Sequence, residues 1–336
     1  MDVWHNAITK GEVAILSYGS THWKPVMRED HREQLQSWMD GVPFEVEWLI
    51  LTPAGVPHYF SKNGFKEHVK IIHSLNVCGY NLLTAREDGD PYTCSMFEDH
   101  LVDSKQFRVW ANRRDNVAKS LVGTHVVGCC ECTMHMLGDI SNRIQRLTPV
   151  AFELKIGQYD GSAVFIDESR VAYQHHVVHR LGGAQIALLC YLKDKKTNTD
   201  FLFVVLHLES DGRANGHMAL EHVRVKQACK LKQKLSSVRI PIIIVGDFNS
   251  DRFLYERFER KRQPTVASVL DSYKTVLPLK ATYLHFGEAA FDDILVKGAY
   301  PTSKSTIPKA SIPCPNAEQG SDHLPVYASL LLQHPG

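Results

Sequence analysis

Short apolar runs, interrupted by polar and glycine-rich stretches, recur along the chain from about residue 75 onward. Most are rich in valine and isoleucine and too short for a helix. They predict strands near 125–131, 150–156, 162–167, 171–179, 184–192, 281–286, 291–297 and 325–332. Gly182-Gly183 stands between the runs that contain Val178 and Ile186, which is a hairpin signal. Helical spacing is rarer. Val109, Trp110, Val117 and Leu121 share one face of a helix over 107–122, and Met218 to Leu235 reads as an amphipathic, lysine-rich helix. Many hairpin-linked strands with few helices predict two packed, mainly antiparallel sheets covered by helices. Residues 1–74 precede this pattern. They hold strand-like runs at 12–16 and 44–51, a charged helix-compatible stretch from Arg28 to Met39, and breakers at Gly55, Pro57 and Gly64. The chain thus divides into a small α/β extension, 1–74, and a main domain, 75–336.

Polar residues at the ends of the apolar runs carry the candidate chemistry. Pro241-Ile-Ile-Ile-Val-Gly-Asp-Phe-Asn-Ser250 is a buried strand with a carboxylate and an amide at its mouth. An extended backbone points Asp247 and Asn249 the same way, which suits a hard cation or a phosphate oxygen. Near the C-terminus, Gly320-Ser-Asp-His-Leu-Pro-Val326 leads into an apolar strand, and an aspartate such as Asp322 beside His323 can set an imidazole's tautomer and charge. Glu131 ends the run that begins at Val126, where a carboxylate is costly unless bound or paired. Cys129, Cys130 and Cys132 flank it without paired Cys-x-x-Cys spacing, and read as small buried thiols in a reducing compartment. His175, His176 and His179 show no ligand spacing. Arg257, Arg260, Lys261 and Arg262 form either a solvated face or a patch that steers a phosphate backbone.

Composition narrows the field. The 336 residues suffice for an ample core, and 44% hydrophobic with 22% charged content is ordinary for a soluble globular protein. A net charge of +1 argues against coating long nucleic acid, but a short nucleic acid in a locally positive cleft fits. No apolar run approaches the roughly 20 residues of a membrane span, and no secretory h-region opens the chain. Cytosol or nucleus is the expected compartment, with no membrane partner. Residues 1–74 could position substrate, bind a partner protein or simply extend the packing.

The motifs resemble those of one superfamily. Gly246-Asp-Phe-Asn-Ser250 and Ser321-Asp-His-Leu-Pro325 resemble two signatures of the exonuclease-endonuclease-phosphatase superfamily. Other pieces follow in the expected order. Val77-Cys-Gly-Tyr-Asn-Leu-Leu83 is similar to its opening strand, and Val126-Val-Gly-Cys-Cys-Glu131 to the strand that delivers a metal-binding glutamate. Val204-Val-Leu-His-Leu-Glu-Ser210 resembles the strand with a catalytic histidine, and Phe291-Asp-Asp-Ile-Leu295 the strand with a partner aspartate. The resemblance covers residues 75–332. It implies a DNase I-like four-layer α/β sandwich and metal-dependent hydrolysis of phosphoric esters.

Roles follow from the resemblance, residue by residue. Glu131 would bind Mg²⁺ or Mn²⁺. Asn81 and Asn249 would bind phosphate or orient carboxylates, and Asp160 would lie at the substrate end of the cleft. Asp247 would activate water, His207 would stabilise the transition state, and Asp322 and His323 would complete the site. The resemblance leaves a second base open, His323 paired with Asp292. Asp292 is preferred over Asp293, which points to the other face of a regular strand. Arg224 and Gln227 either face the base of the cleft or buttress the sheet. Tyr80-Asn81 and Asp160-Gly-Ser-Ala-Val-Phe165 resemble the nocturnin, Angel and carbon-catabolite-repressor deadenylase branch, which implies a 3′-5′ exonuclease on RNA rather than DNA, or a nucleotide hydrolase. The run from His207 to Ser210 is instead close to that of tyrosyl-DNA phosphodiesterase 2, and Cys130 replaces the glutamine usual before the metal-binding glutamate. A binding module without turnover is the alternative of a different class. The segments near 84–106, 209–217 and 298–319 would decide the substrate.

Overall fold

The computed structural model describes residues 74–84, 109–210, 220–255, 263–284, 288–302, 305–309, 314–316 and 318–332, with strands at 13–17, 24–26, 48–51 and 57–60. The expected helix from Arg28 to Met39, the segments 85–108 and 211–219, and the basic run from Arg257 to Arg262 lie outside these residues. The chain divides into two compact units, Met1–Ser74 with Tyr300–Ser303, and Leu75–Ala299 with Lys304–Gly336. In the first, β1 (Val13–Ser17), β2 (Lys24–Val26), β3 (Trp48–Leu51) and β4 (Pro57–Phe60) form an antiparallel sheet in the order β2-β1-β3-β4.

The larger unit is built on two six-stranded sheets. One contains β9 (Val171–Gly182), β10 (Gln185–Asp194), β11 (Thr199–His207), β12 (Ile242–Asp247), β13 (Lys274–Thr275) and β14 (Asp292–Lys297), ordered β13-β14-β12-β11-β10-β9. The other contains β5 (Leu75–Asn81), β6 (Val126–Cys132), β7 (Leu147–Leu154), β8 (Gly161–Asp167), β15 (Ala299–Pro301) and β16 (Val326–Leu332), ordered β15-β16-β5-β6-β8-β7. β11 runs parallel to β12 and β5 parallel to β6, so the sheets are mixed rather than purely antiparallel. The expected hairpin joins β9 to β10 through Gly183. The strand expected at 281–286 is not formed over its described part, where Tyr283 makes only isolated bridges to Ala289 and His323.

Alternation along the strands explains the layers. Inward residues such as Val77, Val126, Val164, Phe203, Val205, Val245 and Ile294 form the core between the sheets. Outward residues meet helices. On one side α1 (Trp110–Leu121) and α2 (Met134–Arg143) pack Trp110, Val117, Leu121, Met136 and Ile140 on Tyr80, Val127, Cys129 and Phe165. On the other, α3 (Glu221–Leu235) and α4 (Val266–Val269) pack Ala228, Leu231, Leu235 and Val266 on Leu202, Val204, Leu206 and Ile244. The result is helices, sheet, sheet, helices. Gly128 marks where the sheets come closest: a Cβ there would lie 2.5 Å from Val245 Cγ2 and 2.7 Å from Val205 Cγ2. No helix among the described residues is long and apolar enough to cross a membrane.

Candidate active site

Alternation also delivers the polar groups. Along β5, β11, β12 and β14 the inward series runs through Val77, Val205, Val245 and Ile294. It ends at Asn81, His207, Asp247 and Asp292, all at one end of the core and all buried. His207 pairs with Asp247 and Asp247 with Asp292 in the strand register, so one rung of the sheet carries all three. Gly246 makes that end possible. Its φ is +143°, and a Cβ there would sit 1.9 Å from the Leu206 carbonyl oxygen.

Glu131 arrives differently. Regular alternation from Val127 and Cys129 would turn it outward, against the helices. The pairing of β6 with β8 instead slips between Cys129 and Cys132, and Glu131 has a φ of +54°. It is the extra residue of a bulge that re-aims one side chain into the cleft, and Cys132 resumes the outward series. The thiol of Cys130 points inward, contacts the Leu206 carbonyl oxygen at 3.1 Å, and is pushed up by burial, so it stays a protonated thiol.

The two sheets meet through Asn81. Its Nδ2 donates to Glu131 Oε1 at 3.1 Å and to Asp247 Oδ2 at 3.0 Å. The Thr84 amide donates to Glu131 Oε2 at 3.1 Å. His207 Nε2 lies 3.6 Å from Asp247 Oδ2 and 3.9 Å from Glu131 Oε1. Its Nδ1 is buried without a partner among the described residues. A proton on Nδ1 would be an unsatisfied buried donor, so the Nε2–H tautomer, facing the carboxylates, is the stable one. His323 Nδ1 bonds Asp292 Oδ2 at 2.8 Å, and its Nε2 faces Asp247 Oδ2 at 3.6 Å. The Asn249 amide donates to Asp247 Oδ1 at 2.8 Å, and its side-chain Nδ2 to the Leu208 carbonyl at 3.0 Å.

Burial and charge set the protonation states. Burial alone would raise the Glu131 carboxyl, but His207, Lys155, the Thr84 amide and Asn81 outweigh it and bring it to about 2. Burial, with Lys155 nearby, lowers His207 to about 4 against the pull of Asp247 and Glu131, so the ring is neutral at pH 7. Burial would lower His323 too, but Asp292 and Asp247 hold it well above the imidazole range, as an imidazolium. Burial raises Asp247, which the charge on His323 only partly offsets.

The remaining expected residues are distributed as follows. Asp160, buried just before β8, is ion-paired with Lys155 at 2.6 Å rather than open to a ligand. Burial raises its carboxyl and the Lys155 charge counters. Lys155 is a buried cation whose field reaches Glu131 and His207; in the sequence it is a lone lysine after an amphipathic strand, with nothing to mark that role. Asp322 does not set the His323 tautomer. Asp292 does, while Asp322 accepts a 3.3 Å contact from the Ser321 hydroxyl. Ser321 also donates to the Asn81 carbonyl at 2.7 Å. The fully buried Arg113 of α1 donates to the carbonyls of Leu82, Leu83 and Gly320, tying the end of β5 to the loop before Asp322. Arg224 and Gln227 hold the backbone of Glu209 behind the cleft, which is the buttressing alternative. His176 pairs with Glu153 at 3.2 Å and His175 stacks on Tyr191, so neither is a ligand in the cleft.

Asp293 faces away, toward Thr275 (2.6 Å) and Arg252 (3.5 Å), as alternation requires. Burial raises it to about 6, against Arg252. It is protonated in the fold below about pH 6, but in the unfolded chain only below its ordinary 3.8, so stability falls as pH rises through that window. Asp293→Asn is expected to raise Tm at pH 7.5, by up to about 3 kcal/mol of stability, and to leave it little changed at pH 4. Thermal melts at the two pH values check this; an equal shift at both would refute it.

No family model matches the chain, and no curated protein matches its sequence. Solved structures do match. An endonuclease/exonuclease/phosphatase family protein from Bacteroides thetaiotaomicron is 21% identical over 77% of this chain and 98% of its own, with a TM-score of 0.59. The human Nocturnin catalytic domain with bound sulfate is 18% identical over 79% and 97%, with a TM-score of 0.54. ANGEL2, a 2′,3′-cyclic phosphatase, in complex with adenosine-2′,3′-vanadate, is 16% identical over 78% and 97%, with a TM-score of 0.58. The larger unit of this chain therefore has the DNase I-like fold of the endonuclease/exonuclease/phosphatase proteins.

Proposed function

We propose that the protein is a divalent-metal-dependent phosphoesterase acting on a nucleic acid or nucleotide, with RNA degraded from its 3′ end and a preference for adenylate as the finer reading. The observation that carries it is the convergence of Asn81, Glu131, His207, Asp247, Asp292 and His323 on one cleft where the two sheets end. Support for the substrate class comes from the fold neighbours, one of which is a 2′,3′-cyclic phosphatase bound to an adenosine vanadate and another of which binds sulfate.

The donor chemistry suits a hard cation at Glu131. Its side chain is the most exposed carboxylate of the cluster, at 23%, against 2% for Asp247 and Asp292. It is ionised at neutral pH, and its oxygens are the hard donors that such a cation prefers, oriented by the Asn81 and Thr84 amides. Asp247, Asp292 and His323 also offer ligand atoms within 4.8 Å of one another. In that triad His323 Nδ1 is already bonded to Asp292 Oδ2 at 2.8 Å, whereas Glu131 is the more open carboxylate. A bound Mg²⁺ or Mn²⁺ supplies positive charge to the phosphoryl oxygens as negative charge develops on them.

The chain's own groups supply the rest. Asp247, held by Asn81 and the Asn249 amide, takes a proton from the attacking water at its Oδ atoms, and its raised proton affinity suits a base. The imidazolium of His323, fixed by Asp292, stands against Asp247 and stabilises its charge. His207 presents its Nε2–H toward the space between Asp247 and Glu131, where a phosphoryl oxygen would accept it. Burial, with the charge of Lys155, keeps His207 neutral, and Lys155 adds to the groups that keep Glu131 charged.

A substrate panel with Mg²⁺ tests the reading: oligo(A) RNA, mixed RNA, RNA ending in a 2′,3′-cyclic phosphate, single-stranded DNA, a 2′,5′-linked oligomer, a dinucleotide phosphate and 5′-tyrosyl DNA. Oligo(A) is expected to be shortened fastest from its 3′ end. Much faster cleavage of 5′-tyrosyl DNA, which the run from His207 to Ser210 favours, would replace the substrate and keep the chemistry. Hydrolysis of none would overturn the function.

A further inference from the structure

Two strand exits carry the proposed reacting groups, β11 after His207 and β12 after Asp247. One face of α3 grips both. Glu221, Arg224 and Gln227 lie at successive three-residue intervals on that helix, and all are buried, Arg224 completely. Arg224 Nε donates to the Glu209 carbonyl at 2.7 Å, and Gln227 Oε1 accepts from the Glu209 amide at 2.9 Å. Both backbone groups of the second residue past His207 are thereby held. Glu221 pairs with Arg224 Nη1 at 3.2 Å and accepts from the Val266 amide at 2.9 Å. The Ser250 hydroxyl lies 2.7 and 2.8 Å from the two Glu221 oxygens. Ser250 follows Asn249, whose side chain returns to the Leu208 carbonyl at 3.0 Å. The contacts close into a ring: Glu209, Arg224, Glu221, Ser250, Asn249, Leu208.

A buried ion pair is a poor way to fasten a helix to a sheet, since apolar residues of similar volume are often as stabilising or more so. What it adds is fixed direction and length. We propose that the Glu221–Arg224 pair is a positioning device that sets His207 against Asp247 and Asn249, acting on β11 through Glu209 and on β12 through Ser250. The proposal deepens the phosphoesterase reading of the same site and rests on it for its effect on turnover. Glu221, Arg224 and Ser250 act through the residues they hold, Glu209 on one exit and Asn249 on the other.

Ser250→Ala in the full chain is the test, because it removes the one hydroxyl linking Glu221 to β12 and leaves Arg224 paired. The single-turnover rate at saturating substrate is expected to fall about 10-fold, on the scale of small misplacements of reacting groups, with KM nearly unchanged. The Asn249→Ala/Ser250→Ala double variant should be no slower than Asn249→Ala alone, since both act on the same exit. The ring-proton NMR resonance of His207, read without substrate, should move in Ser250→Ala. Glu221→Gln keeps one acceptor oxygen and removes the Glu221 charge beside Arg224; it should move the same resonance, and it serves if Ser250→Ala does not fold. A lower Tm with an unchanged rate and an unmoved His207 resonance would make the pair a structural fastening only and overturn the proposal. Additive slowing in the double variant would overturn it too. If the wild type hydrolyses no phosphoester, the functional reading fails, and the His207 resonance still decides the positioning role.

Discussion

Glu131→Gln is expected to abolish phosphodiester hydrolysis in Mg²⁺, a loss of about 10³-fold or more, as removal of the principal metal ligand should give. The substitution keeps the side chain's length and one acceptor oxygen, for either Asn81 or Thr84, replaces the other oxygen by an amide group, and removes the charge that a cation requires. The protein should still fold, at some cost in stability. Because His207, Lys155 and the Thr84 and Asn81 donors outweigh burial and hold the Glu131 carboxyl at about 2, below its ordinary 4.5, the carboxylate stabilises the fold above pH 4.5, and that contribution fades as pH falls toward 2. Glu131→Ala, which loses both hydrogen bonds and the side chain's packing where Glu131→Gln loses one hydrogen bond, should melt lower than Glu131→Gln. Single-turnover assays with Mg²⁺ and with excess chelator measure the loss. Full activity in the variant, or wild-type activity that survives the chelator, would remove Glu131 from the metal and the metal from the reaction.

Asp247→Asn and His207→Ala should each lower kcat by about 10²–10⁴-fold while substrate affinity changes little. The two losses should be of similar kind but differ with pH. With Asp247 as the proposed base, wild-type kcat should decline as pH falls through its raised pKa, and the Asn variant should lack that limb. With His207 as the proposed neutral donor, its removal should lower the rate across the neutral range without moving the limb. A binding module without turnover would behave in the opposite way, with no rate to lose and weaker binding when either residue is removed. Paired single-turnover and equilibrium-binding measurements separate the cases. Unchanged rates in both variants would mean that the reaction occurs elsewhere.

The groups that end regular strands are legible in the sequence. Asn81, His207, Asp247 and Asp292 each stand at an even step from buried residues of the same strand, and period-two alternation alone turns them into one cleft and turns Asp293 away. The site residues that depend on broken alternation are not legible in their geometry. Glu131 enters the cleft through a bulge and a left-handed backbone, which no local pattern of Val126 to Cys132 announces. Nor are the long-range polar contacts. Arg113 with three carbonyls, and Glu221 with Ser250 and Val266, join segments that only the finished fold brings together. Asp160 reads in sequence as a substrate group and stands in the structure as a lysine's counter-ion. Helix α2 is missing from the sequence-based expectations although Thr133 caps it and Met136 and Ile140 mark its buried side, because ten residues with two buried contacts give a weak periodic signal.

Asn81 has a further meaning. One of its hydrogen bonds stays within its own sheet, at Glu131, and the other crosses to Asp247 on the facing sheet. The seam between the sheets therefore runs through the reacting groups, and the width of that seam is fixed in the apolar core, where Gly128 lets the sheets close. A single methyl group there would act as a wedge. It would press on Val245, Val205 and Phe203, yet it would drive Glu131 and Asp247 apart at the strand ends, so the tolerance of the proposed chemistry is written partly in the thickness of the hydrocarbon beneath it.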